Sequence, residues 1–108
     1  MMLTEKFKFV KSLLEQVAET HHYWADAGKS NCYIVYTENA ETDPVDGDNR
    51  KEIQTIPFDV NLYVLDDMDK AIDKMQDTFK SARIDWQYDG VSYEVDTGLI
   101  HHMWRIWV

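Results

Sequence analysis

The sequence predicts an α+β fold: a mostly antiparallel sheet with two helices packed on one face. Three observations carry this expectation. Apolar residues recur every three to four positions in two stretches, at every second position in several others, and the helical and strand stretches follow one another as α-β-loop-β-α-β-β-β. No internal repeat or interdomain linker interrupts the 108 residues, a length at which one domain with one modest core is the default.

In the first stretch Phe7, Val10, Leu13, Leu14 and Val17 share a helical face, while Lys8, Lys11, Glu15 and Glu19 lie mostly away from it. Thr4 stands where an N-cap would. The pattern fades near Thr20 to Tyr23, and Gly28 reads as a stop. A helix of this kind packs on a larger body. A membrane-surface helix is the alternative, but it fits poorly with a short polar face and an acidic chain. Cys32 to Thr37 is a β-branched and aromatic run, hence a strand. Glu38 to Glu52, with Pro44 and Gly47, carries loop signals throughout, and its six acids and low apolar content predict a mobile segment.

Strand character resumes from Ile53 to Leu65. Phe58, Val60, Leu62 and Val64 point one way, and Asp59, Asn61 and Tyr63 the other. Pro57 places the start of this strand at an edge or ahead of its paired part. Met68, Ala71, Ile72, Met75, Phe79 and Ala82 then trace a second helix, with Asp66 and Asp67 at its start. Asp89-Gly90 predicts a two-residue hairpin turn between Ile84–Tyr88 and Val91–Val95. In the last strand Ile100, His102, Trp104, Ile106 and Val108 form one face. His101, Met103, Arg105 and Trp107 form the other. That second face is apolar enough to predict cover from another subunit, which makes Met103, Arg105 and Trp107 candidate interface residues.

The formal charge is −9, and residues 38–69 supply −8 of it, with ten acids against Arg50 and Lys51. Such a chain is a poor binder of phosphate backbones, which need clustered Lys and Arg. A lone cysteine, Cys32, permits no internal disulfide. It begins a strand without a nearby elbow or helix start, so a packed thiol is expected rather than a nucleophile. His21-His22 and His101-His102 are adjacent pairs whose side chains diverge, so a metal site would need one from each pair plus a carboxylate. The acidic run from Asp46 departs from a calcium loop: Lys51 stands where Gly belongs, and Pro57 where the bidentate Glu belongs. No serine elbow, phosphate loop or dinucleotide fingerprint occurs, so neither enzymatic activity nor a cofactor is expected. The start of the chain lacks a signal-peptide layout, and no apolar run reaches membrane-spanning length.

Residues 53–108 resemble the small tail-terminator (tail-completion, or head–tail joining) proteins of long-tailed bacteriophages. The resemblance rests on Phe58-Asp-Val-Asn-Leu-Tyr-Val64 running into Asp66-Asp-Met-Asp69 and an amphipathic helix. It continues in the exit into Ile84-Asp-Trp-Gln-Tyr88, and in Tyr93 to Ile106 with its Asp96-Thr-Gly-Leu99 turn. The N-terminal helix and the Tyr-Ile-Val-Tyr strand extend it over most of the chain. It implies an α+β subunit of a virion protein, closing into a ring that is commonly a hexamer. Such a ring caps the tail tube, joins it to the head connector and lets DNA pass through. Glu38, Glu41, Asp43, Asp46, Asp48 and Glu52 are the candidate lumen acids of such a ring. The alternative is an acidic DNA mimic or immunity-type inhibitor of a basic protein, which would want its carboxylates spread over one exposed face.

Overall fold

The computed structural model describes residues 1–25, 30–41 and 54–108. The order is α1 (Leu3–Glu15), β1 (Glu19–His22), β2 (Cys32–Glu38), β3 (Pro57–Val64), α2 (Lys70–Ala82), β4 (Asp85–Tyr93) and β5 (Ile100–Trp107). The five strands form one sheet in the order β1-β2-β3-β5-β4. Three pairings are antiparallel and β1–β2 is parallel, so the sheet is mixed and the fold is α+β.

Both helices press on the same face. Phe58, Val60, Leu62 and Val64 of β3 are fully buried, together with Ile34 of β2 and Ile106 of β5. Onto them α1 brings Val10, Leu13 and Leu14, and α2 brings Ala71, Met75 and Phe79. Phe7 meets Phe58 edge-on with ring centroids 6.1 Å apart, and Phe79 meets Trp104 in the same way at 6.3 Å. The Trp104 indole N–H donates to Gln76 Oε1 at 3.2 Å, so the largest buried side chain keeps its polar handle satisfied. Lys6 is buried on α1. Its ammonium donates to the Gln54 and Val108 carbonyls, which ties the helix to the pairing of Ile56 with Val108.

Several expectations need correction. The residue before α1 is Met2, and no side chain caps that helix; Thr4 lies inside it. α1 stops at Glu15, and the fading segment is a strand, β1, whose four residues are too few and too polar to show alternation. Pro57 does open β3, but β3 is the central strand and Pro57 is paired with Trp107. α2 starts later than Asp66 and Asp67: the Asp69 carboxylate caps it by accepting from Ala71 N–H at 2.8 Å, and Met68 is left exposed.

Asp89-Gly90 is not a turn. β4 runs straight through it, with a bulge between Tyr88 and Gly90, where Gly90 has φ +120°. The real reversal is at Glu94–Leu99, with Gly98 left-handed at φ +71° and Gly98 N–H bonded to Glu94 O at 2.8 Å. One extra residue at a bulge moves the inward-facing set from even to odd positions. Trp86 and Tyr88 therefore share a side with Val91 and Tyr93, the same local pattern a hairpin would give. The eight paired positions that β5 offers along the whole of β4 decide the matter.

Candidate functional site

The sheet has one face covered by α1 and α2 and one face that neither helix touches. On the open face, in-register pairing aligns Tyr33 of β2, Tyr63 of β3 and His101 of β5. Their rings stack across the strands, Tyr33 on Tyr63 at 4.8 Å and Tyr63 on His101 at 4.4 Å. His21 of β1 meets Tyr33 edge-on at 6.4 Å and extends the row. His101 Nε2–H donates to Asn61 Oδ1 at 2.6 Å, and Asn61 Nδ2 donates to the Val35 carbonyl at 3.3 Å. Burial pushes the Tyr63 hydroxyl up to about 12, helped by Glu94 and Tyr33, and pushes the His101 imidazole down, so this stacked pair is uncharged near neutrality.

One step along the strands the face turns polar. Arg105 Nε donates to Asp59 Oδ1 at 3.2 Å, and Asn39 Nδ2 donates to Asp59 Oδ2 at 2.5 Å. Met103, Arg105 and Trp107 thus do share the open face. Arg105 is exposed and already paired with Asp59, whereas Met103 and Trp107 are half-buried.

Of the candidate lumen acids, Glu38 and Glu41 are described, and Asp43, Asp46, Asp48 and Glu52 lie outside the described residues, as does most of the segment expected to be mobile. Glu38 ends β2 and is held within the chain. His22 Nε2 bonds it at 2.7 Å and the Tyr23 hydroxyl donates to its other oxygen. Burial raises the Glu38 carboxyl, but these hydrogen bonds outweigh that and leave it below its ordinary range. His22 is stacked between Tyr23 at 3.7 Å and Tyr36 at 4.4 Å, and Tyr23 adopts φ 75° to close the clasp.

The two histidine pairs stand on β1 and β5, separated by β2 and β3. Among the described residues no group of three or more His, Cys, Asp or Glu side chains is placed to hold a metal. Cys32 is half-buried, and burial, reinforced by Asp69, raises its thiol, the opposite of what an activated nucleophile needs.

The sheet ends in two edges. β4 is exposed along most of its length, with Val91 at 54% and Tyr93 at 65% of full exposure. β1 forms the opposite edge, with a shallow cleft on either side. Phe7, Lys8, Lys11 and His22 line one of about 420 Å³, and His21, Trp24 and Tyr33 line one of about 300 Å³. Sequence reasoning missed the aromatic row and β1. The row's only signal is parity, since Tyr33, Tyr63 and His101 each sit opposite the core-facing positions, but their alignment depends on registers that no local pattern encodes. Compared with known protein families and with characterised protein sequences, the chain matches none. No helix among the described residues is long and apolar enough to cross a membrane.

Proposed function

We propose that this protein is a structural subunit of a homo-oligomeric ring in the tail of a long-tailed bacteriophage. The ring, commonly a hexamer in proteins of this type, caps the tail tube in the virion and joins it to the head connector after assembly in the host cytoplasm. DNA passes through without specific binding. The observation that carries the reading is a single sheet helix-covered on one face only, with both edge strands unpaired among the described residues. A subunit built this way presents an open face and two strand templates to neighbours. The role is one of positioning, with no catalytic step and no cofactor.

The acidic segment after β2 supports the same reading, since negative charge along a channel repels the DNA backbone and lets it slide. Glu38 is the exception in that set, being held by His22 and Tyr23. Imaging of tails assembled with and without the protein tests the proposal. Tails lacking it should run to irregular lengths and fail to join heads. Normal tails that still join heads would sink the proposal.

A further inference from the structure

We propose that the open-face cleft at the β1 edge binds the guanidinium of an arginine side chain presented by a partner protein. A register, an aromatic frame and a charge support the site, and it does not depend on the tail reading.

Pairing sets His101, Tyr63, Tyr33 and Glu19 level with one another across β5, β3, β2 and β1. Directly paired residues project from the same side of a sheet, so all four belong to the open face. The three rings stack, and the row then ends in a carboxylate in place of a fourth ring. Tyr63 lies against one face of Tyr33, which leaves the other face toward β1 and Glu19. A group seated between them meets a π-face and a carboxylate. A cation is the ligand that gains from both.

The frame around that place is open. Glu19, His21, Trp24 and Tyr33 line one cleft of about 300 Å³. His21 stands edge-on to Tyr33 without filling it. Trp24 is 70% exposed, a large ring held beside the cleft with little cover of its own. The turn that carries it has Tyr23 at φ 75° and the Trp24 N–H donating to the His22 carbonyl at 3.0 Å. The volume lies at the bottom of the range for small-molecule pockets, about 300–1,000 Å³, so it suits a side chain better than a cofactor.

Charge selects the side chain. No Lys or Arg is among the residues lining this cleft, whereas Lys8 and Lys11 line the one on the helix-covered side. Glu19 is exposed, and among the described residues its one ion-pair partner is His21, which meets Oε2 at 3.3 Å and leaves Oε1 for a second donor. A guanidinium fits these groups better than an ammonium. It is planar and weakly hydrated, lies flat on an aromatic ring, and turns a rigid fork of donors toward a carboxylate. The net charge of −9 favours the approach of a basic partner.

The test titrates the whole chain at about pH 7.5 with Nα-acetyl-arginine amide, reading indole N–H signals by NMR up to about 20 mM, the range one ion pair and two ring contacts reach. The Trp24 signal, assigned by its loss in Trp24→Leu, should shift saturably while that of the buried Trp104 stays. The lysine analogue should bind more weakly. The citrulline analogue, which has the same shape without the charge, should leave the signal in place. Glu19→Gln should weaken arginine binding at least threefold, and Trp24→Leu, read from the β1 amides, about two- to fivefold. Both positions are exposed, so thermal midpoints should match that of the natural chain. The proposal is overturned by an unsaturable Trp24 shift, by equal binding of the citrulline analogue, or by binding indifferent to Glu19→Gln. Tighter binding of free L-arginine than of the blocked form would overturn the partner protein as its source. These titrations read the same whether or not tails need the protein, so the two proposals fail separately.

Discussion

The two faces of the sheet are built from the same strands by different means. On the helix-covered face, cohesion comes from dry packing of Ile34, Phe58, Val60, Leu62, Trp104 and Ile106 under α1 and α2. On the open face it comes from side chains that satisfy one another: the stacked Tyr33, Tyr63 and His101, the His101–Asn61–Val35 relay, and the Asp59–Arg105 pair. The first solution needs a covering layer. The second leaves an ordered surface whose aromatic row stays buried or half-buried without one.

The largest expected difference between the faces follows from truncation. Trp104→Ala should cost about 3–5 kcal/mol, because it opens a cavity under α2 and orphans Gln76. Tyr63→Leu, on the open face, should cost only about 1 kcal/mol, the scale of aromatic stacking beyond area burial. Denaturant titrations of both variants check this. Similar losses would mean that the open face is covered as completely as the other.

How much of this division was legible beforehand depends on the element. β3 was legible because strict alternation from Phe58 to Val64 has one reading, and its inward set is fully buried. α2 was legible from its 3.6 period. β1 was not, because Glu19-Thr-His-His22 has no apolar pattern and is a strand only through its pairing with β2. The β4 bulge looks like a hairpin in the sequence because parity flips there as it would across a hairpin. Parity alone puts Met103, Arg105 and Trp107 on one face, and the pairing with β3 keeps them there. That Arg105 would be paired with Asp59 depends on the β3–β5 register, which no single strand carries.

Gly90 sharpens the contrast between centre and edge. A Cβ added there meets nothing within 4 Å, so Gly90→Ala tests the backbone alone at φ +120°. The expected loss is about 1–3 kcal/mol, with the bulge straightening or β4 fraying from β5. An unchanged stability would mean that the bulge is not fixed by its glycine. Asp69→Ala removes the α2 cap and should cost about 1 kcal/mol, read as a small shift in the thermal or denaturant midpoint. Loss of the helical signal altogether would show that α2 depends on its cap more than on its packing against the sheet.

The smallest expected effect is a dependence on pH that separates the faces by their histidines. His102 lies on the covered face, with Nδ1 bonded to the Tyr88 hydroxyl at 3.0 Å and Nε2 buried without a partner. Burial lowers its affinity for a proton below the ordinary value of 6.5, since an imidazolium there would have a second donor and no acceptor. His101 on the open face is lowered as well, by burial and by His102, with Glu94 opposing. For both, the unfolded chain binds a proton at a higher pH than the folded one. Stability is therefore full above about pH 6.5 and falls as pH drops below it, where the unfolded state gains protons first. Glu38, lowered by its own hydrogen bonds, adds a separate loss only below about 4.5. Urea titrations at about pH 7.5 and about 5.5 should show a lower midpoint at the acidic value. His102→Leu should flatten most of that difference, because it removes the orphaned nitrogen while keeping an apolar side chain under α2. His101→Leu should flatten less, because Glu94 already favours the protonated ring. A midpoint that rises on acidification, or a larger flattening by His101→Leu, would mean that proton binding in the folded protein is controlled from the open face.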